Sequence, residues 1–373
     1  MPSTFVSASN AIFLGALVAE FLILTHAHRI GAALCVMDHP DQIRKRHLKV
    51  TPLVGGLAVM VPLLIWTGAA LTLGKGSSER LEIAILLCGA GATLLGYTDD
   101  QTSTSPSSRL LSLILLTVIT LVIAPQLLPA HLVFGFAPSL SLAPWAAYGL
   151  ITIAMAGFVN AVNMADGQNG IVTGMFVIWS TCLMVVTDSG FAHDLSRVLL
   201  AASALAFFFN MAGKVFLGDG GTYGVTFVFG LLAIAVHNAG VVPAATIGVW
   251  FFIPIMDCVR LIVSRVMNGR SPSHGDRNHF HHRLQARVGR SRGLILYLGA
   301  VGTSSLVAAF FPRLSILGIL VLVIFYVSLA RIDSEKILKV REVARGNGDR
   351  KFRVVVGDKV RLIEPSKRNA DAR

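Results

Sequence analysis

The chain has 373 residues, of which 54% are hydrophobic and only 14% are charged. A soluble domain usually carries about 25% charged residues, so this composition excludes an ordinary soluble protein. The net charge of +12 comes from basic residues between apolar runs and in the C-terminal tail. That distribution predicts orientation in a membrane rather than binding to nucleic acid.

Apolar runs of membrane-spanning length recur along the chain, and a helix needs about 20 such residues to cross a bilayer. The sequence therefore predicts an all-α polytopic integral membrane protein with about eleven transmembrane helices. The predicted spans lie near residues 5–26, 52–73, 81–98, 110–125, 142–162, 170–187, 195–213, 222–237, 240–263, 293–311 and 314–331.

The segments between the predicted spans alternate in charge. The charge-rich segments are 38–51, 99–109, 163–169, 214–221, 264–292 and the tail from Arg331. Basic residues accumulate in the cytoplasmic loops of membrane proteins, so these segments are predicted to face the cytoplasm. An odd number of spans then places the N-terminus outside and the C-terminus in the cytoplasm, in agreement with the basic tail.

The chain is predicted to divide near Arg331 into two parts. Residues 1–331 form a transmembrane domain, and residues 332–373 form a charged cytoplasmic tail. Within the tail, KFRVVVGDKVRLIEP predicts a short β-hairpin with its turn at Gly357-Asp358. The end of the tail is predicted to be disordered.

The charge-rich segments also carry side chains that are typical of binding sites. These are Lys45 and His47 in the first loop, Asp99 and Asp100 in GYTDD, Asn160, Asn163 and Asp166 in NAVNMADGQNG, Asp219 in GDGGTYG, and Arg277, His279, His281, His282 and Arg283 in GDRNHFHHRL.

Each of these features also has a purely structural explanation. Basic loop residues act as topology signals, paired aspartates can cap a helix, and Asp219 can occupy a turn. The asparagines can join neighbouring helices through hydrogen bonds, and a histidine cluster can hold a structural metal.

The four aspartates together favour a functional interpretation. They come from three separate segments that are predicted to face one compartment, and carboxylates at the edge of a membrane domain are costly unless they serve a function. Carboxylate oxygens suit Mg²⁺, which commonly bridges to substrate phosphates, and nearby basic residues would bind further phosphate. An acidic metal site surrounded by basic residues is typical of phosphoryl transfer.

The order of the motifs resembles that of the polyprenyl-phosphate N-acetylhexosamine-1-phosphate transferases, in the superfamily that includes the phospho-N-acetylmuramoyl-pentapeptide transferase. RKRH followed by PLVGG resembles the first cytoplasmic loop of that family, and GYTDD resembles its aspartate pair. NAVNMADGQNGI, GDGGTYG and HFHHRL resemble its next three motifs, so the resemblance extends from about residue 38 to residue 284. The RKRH and HFHH forms resemble the GlcNAc-1-phosphate branch more than the pentapeptide branch.

The resemblance implies transfer of a sugar phosphate, best matched by GlcNAc-1-phosphate, from a UDP-sugar to undecaprenyl phosphate, with release of UMP. This reaction would initiate cell-envelope polysaccharide synthesis at the cytoplasmic face of the bacterial inner membrane. The implied cofactor is Mg²⁺, with Mn²⁺ as a substitute. The expected partners are the membrane, the polyprenyl phosphate lipid and the UDP-sugar; a homodimer is compatible with the sequence, and no nucleic acid is expected.

The resemblance also implies roles for individual residues. Asp219 would be the principal metal ligand, and the further candidate ligands and catalytic residues are Asp99, Asp100 and Asp166. Asn160 and Asn163 would help to hold the nucleotide or order the waters of the metal. The residues expected to bind phosphate or sugar are Lys45, His47, Arg277, His279, His281, His282 and Arg283.

Two positions depart from the family pattern. Asn169 stands where many relatives have a second aspartate, and Ser103 stands where some relatives have an acid or a base. Both changes leave the sugar open: GlcNAc, another UDP-N-acetylhexosamine such as a deoxy or amino variant, or MurNAc-pentapeptide. A secondary transporter is the alternative from another class, but its polar residues would lie near the bilayer midplane.

Overall fold

The computed structural model describes residues 2–40, 49–74, 79–272, 278–330, 340–343, 351–356 and 359–363. Most of these residues are helical, which confirms the predicted all-α class. The α-helices are α1 Pro2–Thr25, α2 Ala27–Ala33, α3 Gly55–Thr72, α4 Glu79–Ala84, α5 Ala90–Thr102, α6 Pro106–Ile123, α7 Pro144–Ala165, α8 Ile171–Val186, α9 Phe191–Met211, α10 Gly218–Asn238, α11 Ala244–Met267, α12 Phe280–Val288, α13 Arg290–Phe310 and α14 Ser315–Ala330.

Short elements connect these helices. A π-helical turn at Ile85–Gly89 joins α4 to α5, and 3₁₀ turns lie at Pro125–Leu127 and Pro312–Leu314. Two small antiparallel ladders pair β1 with β2 and β3 with β4. Their strands are β1 Met37–Asp38, β2 Thr51–Pro52, β3 His131–Leu132 and β4 Leu140–Ser141.

Each of the eleven predicted spans coincides with apolar helix. Within the described residues, nine helical segments are long and apolar enough to cross a membrane. The helices Ser9–Thr25 and Ala27–Ala33 meet at 74°, and the number is ten if this bent pair is counted as one span. The sixth, Ile171–Val186, has 16 residues and is about 24 Å long, shorter than the ~30 Å hydrocarbon core. The chain is therefore a polytopic membrane protein.

Helix α10 is the most buried of the spans and forms the centre of the bundle. Neighbouring helices can pack closely against α10 because the glycines of GDGGTYG lie where those helices cross it. A Cβ on Gly56 of α3 would overlap the Cα of Gly221 of α10, so neither position tolerates a side chain. The backbone amide of Gly56 also donates to the carbonyl of Leu217 at 2.9 Å. PLVGG and GDGG therefore meet as a glycine contact between two helices.

Aromatic side chains fill the bundle beside α10. The indole of Trp179 on α8 is fully buried and donates to the carbonyl of Trp250 on α11 at 2.9 Å. Phe229 of α10 and Phe251 of α11 each pack edge-on against Trp179. Such a close-packed aromatic cluster fixes the relative positions of α8, α10 and α11, which carry or precede the polar motifs.

The chain divides into two compact units, residues 1–326 and 327–373. In the second unit, a three-stranded antiparallel sheet is formed by β5 Val340–Val343, β6 Lys351–Val356 and β7 Lys359–Ile363. Strands β6 and β7 pair with Val356 opposite Lys359, on either side of the sequence in which the hairpin turn was expected. The first strand, β5, was not anticipated from the sequence.

Candidate active site

The aspartate pair and the Gly-Asp motif meet at the start of α10. Both carboxylate oxygens of Asp100 accept backbone hydrogen bonds, from the amide of Asp219 at 3.0 Å and from that of Gly220 at 3.1 Å. The first amides of a helix have no partner within the helix and carry a partial positive charge. Asp100 therefore caps α10 from another helix and fixes the backbone of Asp219.

The side chain of Asp219 lies between Asn163 and Asp99. The amide of Asn163 donates to Asp219 Oδ1 at 2.7 Å and also lies 3.0 Å from the hydroxyl of Thr222. The carboxyl groups of Asp99 and Asp219 are close enough to interact electrostatically. Two carboxylates this close repel each other unless a proton or a cation neutralises one of them.

Asp99 is almost fully buried and has three further contacts. Arg109 Nη1 donates to one carboxylate oxygen at 2.6 Å, while the backbone amide and the hydroxyl of Thr104 donate to the other at 2.8 Å and 2.7 Å. Arg109 belongs to the first turns of α6 and was not among the predicted site residues. The available signal was a basic residue at the start of an apolar run, one helix after the aspartate pair.

The carboxyl groups of Asp99 and Asp219 fit a magnesium ion that is completed by other ligands. Within the described ranges, no group of three or more His, Cys, Asp or Glu side chains is arranged to hold a metal by itself. Mg²⁺, however, usually binds through one or two carboxylates and takes its remaining ligands from water and substrate phosphates. The proximity of the buried Asp99 carboxyl group and the half-buried Asp219 carboxyl group is the feature that suits a cation at this place.

Asp166 follows the C-terminus of α7, and the residue as a whole is half-buried. Its backbone amide donates to the carbonyl of Asn163 at 3.1 Å, which places it one turn beyond the contact with Asp219. Burial of the carboxyl group, together with the charge of Asp100, raises the pKa of Asp166 to about 7. A positive charge beside Asp166 would therefore favour the ionised form of this carboxyl group.

The other two asparagines of this motif have different surroundings. Asn160 donates to the carbonyl of Ala156 in its own helix at 2.8 Å. Asn169 donates to the carbonyl of Asn210 at 2.8 Å, while the side-chain oxygen of Asn210 accepts from the amide of Gly170 at 2.7 Å. A carboxylate could not donate to that carbonyl, so the departure at Asn169 has a structural use in this chain.

The histidine segment reaches the same region through His281. This side chain is only 3% exposed, and its Nε2 has no hydrogen-bond partner among the described residues. It lies against Gly167, where a Cβ would overlap the imidazole ring. Burial, and then the neighbouring His282 and His279, hold the pKa of His281 well below its usual range, so the ring is neutral at pH 7.

The remaining histidines stand beside this ring. The rings of His279 and His281 are stacked with centroids 5.4 Å apart, and those of His281 and His282 are 4.2 Å apart. Arg283 lies in the first turn of the same helix, α12, and is partly buried. Three other expected site residues, Lys45, His47 and Arg277, lie outside the described residues.

Comparison with known proteins finds similarity to the family that the motifs resemble. Residues 82–237, which include the aspartate pair, the asparagine motif and the Gly-Asp motif, match the family model described as glycosyl transferase family 4. The chain is 27% identical over 336 residues to a probable undecaprenyl-phosphate N-acetylglucosaminyl 1-phosphate transferase of Bacillus subtilis (strain 168), covering 86% of this chain and 90% of the relative.

Enterobacterial relatives carry closely similar descriptions. The chain is 29% identical over 346 residues to the undecaprenyl-phosphate alpha-N-acetylglucosaminyl 1-phosphate transferase of Salmonella typhi, covering 86% of this chain and 89% of that protein. It is 27% identical over 278 residues to the protein of the same description from Escherichia coli (strain K12), covering 70% and 72%. The resemblance expected from the motifs is confirmed.

Proposed function

We propose that this chain, with its glycosyl transferase family 4 region, transfers GlcNAc-1-phosphate from UDP-GlcNAc to undecaprenyl phosphate. The observation that carries the proposal is the meeting of distant motifs at one place. Asn163 contacts Asp219, Asp99 lies close to it, and His281 packs against Gly167, next to Asp166. The named relatives over most of the chain supply the identity of both substrates.

The reaction exchanges one phosphoanhydride for another. An oxygen of the lipid phosphate attacks the β-phosphorus of UDP-GlcNAc, and the bond from that phosphorus to the oxygen shared with the α-phosphate breaks. That oxygen leaves with UMP, and the sugar keeps its own bond to the β-phosphate. Undecaprenyl-diphospho-GlcNAc is the other product. A phosphate with a second pKa near 6 is mostly ionised at pH 7, so positioning and charge neutralisation matter more than a general base.

Asp219 and Asp99 are the proposed magnesium ligands. A bound Mg²⁺ would neutralise phosphate charge as the two anionic substrates approach each other. Arg109 holds Asp99 from the other side and contributes positive charge near the attacking phosphate. Asp100 holds the backbone of Asp219 in place, so its contribution is to position the metal ligand rather than to accept a proton.

The nucleotide sugar is proposed to lie between the asparagine motif and the histidine segment. Asn163 and Asp166 border this region on one side. His281 is neutral and carries an N–H that can donate to a diphosphate oxygen without prior protonation. The basic residues Lys45, His47, Arg277 and Arg283, and the neighbouring His279 and His282, are proposed to offset the remaining phosphate charge.

The proposed location is the bacterial cytoplasmic membrane, with the site facing the cytoplasm. The sequence motifs of the site belong to the charge-rich connections or adjoin them, and the positive-inside rule assigns such connections to the cytoplasm. UDP-sugars are made in the cytoplasm, and the lipid phosphate reaches the same surface from the inner leaflet. This orientation supplies both substrates to one site.

A transfer assay with purified full-length protein in detergent tests the proposal. The protein receives undecaprenyl phosphate, Mg²⁺ and UDP-GlcNAc labelled with tritium in the sugar, with and without EDTA. The expected result is label in the organic phase, release of UMP, and loss of both with EDTA. The variant Asp219→Asn should be inactive, while Asp194→Asn, on the exposed first turn of α9, should keep full activity.

Each other outcome has a defined meaning. Transfer only from another UDP-N-acetylhexosamine or from UDP-MurNAc-pentapeptide would keep the reaction and correct the sugar. Full activity in EDTA would remove the metal from the proposal. Folded protein that transfers label from none of these donors would contradict the transferase function itself.

A further inference from the structure

A buried carboxylate outside the aspartate motifs holds the histidine segment. Asp257 lies in the C-terminal half of α11 and is 6% exposed. Its two oxygens accept from the backbone amide of Phe280 at 3.1 Å each. Phe280 is the first residue of α12, so Asp257 caps the helix that carries His281 and His282.

Other groups complete the surroundings of Asp257. Arg260 Nη2 and the hydroxyl of Tyr326 each donate to Oδ1 at 2.7 Å, and Arg260 Nε donates to the Tyr326 hydroxyl at 2.6 Å. His279 Nδ1 lies 3.4 Å from Oδ2. The aromatic ring of Phe280 is fully buried and stacks on that of Tyr326 with centroids 4.6 Å apart.

This network joins three helices at one point. Arg260 and Asp257 belong to α11, Phe280 begins α12, and Tyr326 belongs to α14. A carboxylate within a membrane span is costly, and here every close partner belongs to the histidine segment or holds the carboxylate against it. The same device occurs at Asp100, which caps α10 and places Asp219.

We propose that Asp257 is a positioning residue for nucleotide-sugar binding, which acts by holding the N-terminus of α12 so that His279 and His281 face the donor. The inference rests on the proposed function, because it assigns the histidine segment to the UDP-sugar. Asp257 itself touches neither substrate. Loss of its carboxylate would leave the amide of Phe280 and the guanidinium of Arg260 without their buried partner, and the segment would shift.

The test measures binding and turnover separately in full-length protein. The variants are Asp257→Ala, Asp257→Asn and Tyr326→Phe, with Asp194→Asn as the matched control because it removes an exposed carboxylate with an arginine three residues away. Equilibrium binding of UDP-GlcNAc is measured by calorimetry, which needs no turnover. The KM values for UDP-GlcNAc and undecaprenyl phosphate and the thermal unfolding temperature are measured alongside.

The expected result is a selective loss of donor binding. Asp257→Ala should weaken UDP-GlcNAc binding about tenfold or more, because it leaves the buried N–H groups of Phe280 and Arg260 without a hydrogen-bond acceptor. The KM for the lipid should stay nearly unchanged. Asp257→Asn, which keeps one acceptor oxygen, and Tyr326→Phe should fall between Asp257→Ala and wild type. In a variant that already carries His279→Ala, adding Asp257→Asn should have a smaller effect than alone, since both changes act through one segment.

Two results would overturn the inference. One is unchanged donor affinity in Asp257→Ala, and the other is an equal rise in both KM values, as expected from general loosening of the fold. If Asp257→Ala does not fold, Tyr326→Phe decides in the same way, because it removes one hydroxyl only. If the wild-type protein is active, either result would leave the proposed function intact. A wild-type protein that binds no UDP-sugar would overturn both the proposed function and the role of Asp257.

Discussion

The carboxylate of Asp100 holds the backbone of Asp219, since it accepts a hydrogen bond of 3.0 Å from the Asp219 amide across 119 positions of sequence. The two aspartates therefore contribute differently to the site. Asp100 uses its oxygens to cap a helix, whereas Asp219 turns its side chain towards Asn163 and Asp99. Substitution of Asp100 should therefore mainly lower the stability of the fold, whereas substitution of Asp219 should mainly lower the catalytic rate.

Asp100→Ala should lower the free energy of unfolding by about 1–2 kcal/mol, the usual cost of losing a helix cap. Asp219→Asn should leave the unfolding temperature unchanged or slightly higher, because it removes one of two repelling carboxylates, while kcat falls by roughly 100-fold or more. Thermal unfolding in detergent and the transfer assay measure the two effects. Equal destabilisation by both variants would contradict this separation.

Arg109→Gln should raise the KM for undecaprenyl phosphate several-fold and leave the KM for UDP-GlcNAc nearly unchanged. Arg109 is the basic partner of Asp99, at 2.6 Å, and its side chain is 26% exposed, so it can offer positive charge to an approaching lipid phosphate. The matched control is Arg197→Gln. Arg197 lies near the N-terminus of α9, where it forms a 3.7 Å ion pair with Asp194. A selective rise in the KM for UDP-GlcNAc would place Arg109 on the nucleotide side instead.

Asn169→Asp would introduce the second aspartate of the family pattern that this motif resembles, yet it should destabilise this protein. The new carboxylate could not donate to the carbonyl of Asn210 and would repel it, at a cost of about 1–3 kcal/mol. Thermal unfolding measures the change. The matched control is Asn238→Asp, which removes the same kind of bond to Gln126 at an exposed position and should cost less. An unchanged or higher unfolding temperature would show that the Asn210 contact is dispensable.

His281→Gln should reduce the loss of stability of the substrate-free protein in mild acid. The pKa of His281 in the fold is lowered chiefly by burial, whereas the unfolded ring binds a proton near pH 6.5. As the pH falls below about 6.5, the unfolded state gains protons and the fold loses up to about 1.4 kcal/mol per pH unit from this group.

The measurement for His281 is the unfolding temperature between pH 7 and pH 5, in wild type and in the variant. The neighbouring His279, His282 and Asp257 are present in both proteins, so the difference between the two curves isolates His281. Parallel curves would contradict the assignment of a buried, neutral ring. The same variant should bind UDP-GlcNAc more weakly at pH 7, which calorimetry measures.

Much of the site could be predicted because its residues stand out against an apolar background. A carboxylate or an imidazole in a membrane protein is costly, so Asp99, Asp219 and His281 were visible without any structure. Asp257 and Arg260 were equally unusual within an apolar run, but that segment was assigned only as a span. The contrast between these two charged residues and the apolar residues around them could have indicated their role. Tyr326 carried no such signal, since a tyrosine near the end of a span is common at the membrane interface.

The sequence by itself determined the spans, their order and the class of chemistry, because hydropathy and motif composition are local properties of the chain. Only the tertiary structure decided that Asp100 caps α10, that Arg109 pairs with Asp99 and that Asp257 holds α12. These contacts join different helices, and they depend on how closely the helices pack. For example, α3 and α10 can approach each other closely because neither Gly56 nor Gly221 has a side chain. Hydrogen bonds change within fractions of an ångström, whereas sequence periodicity fixes only which face of a helix is apolar.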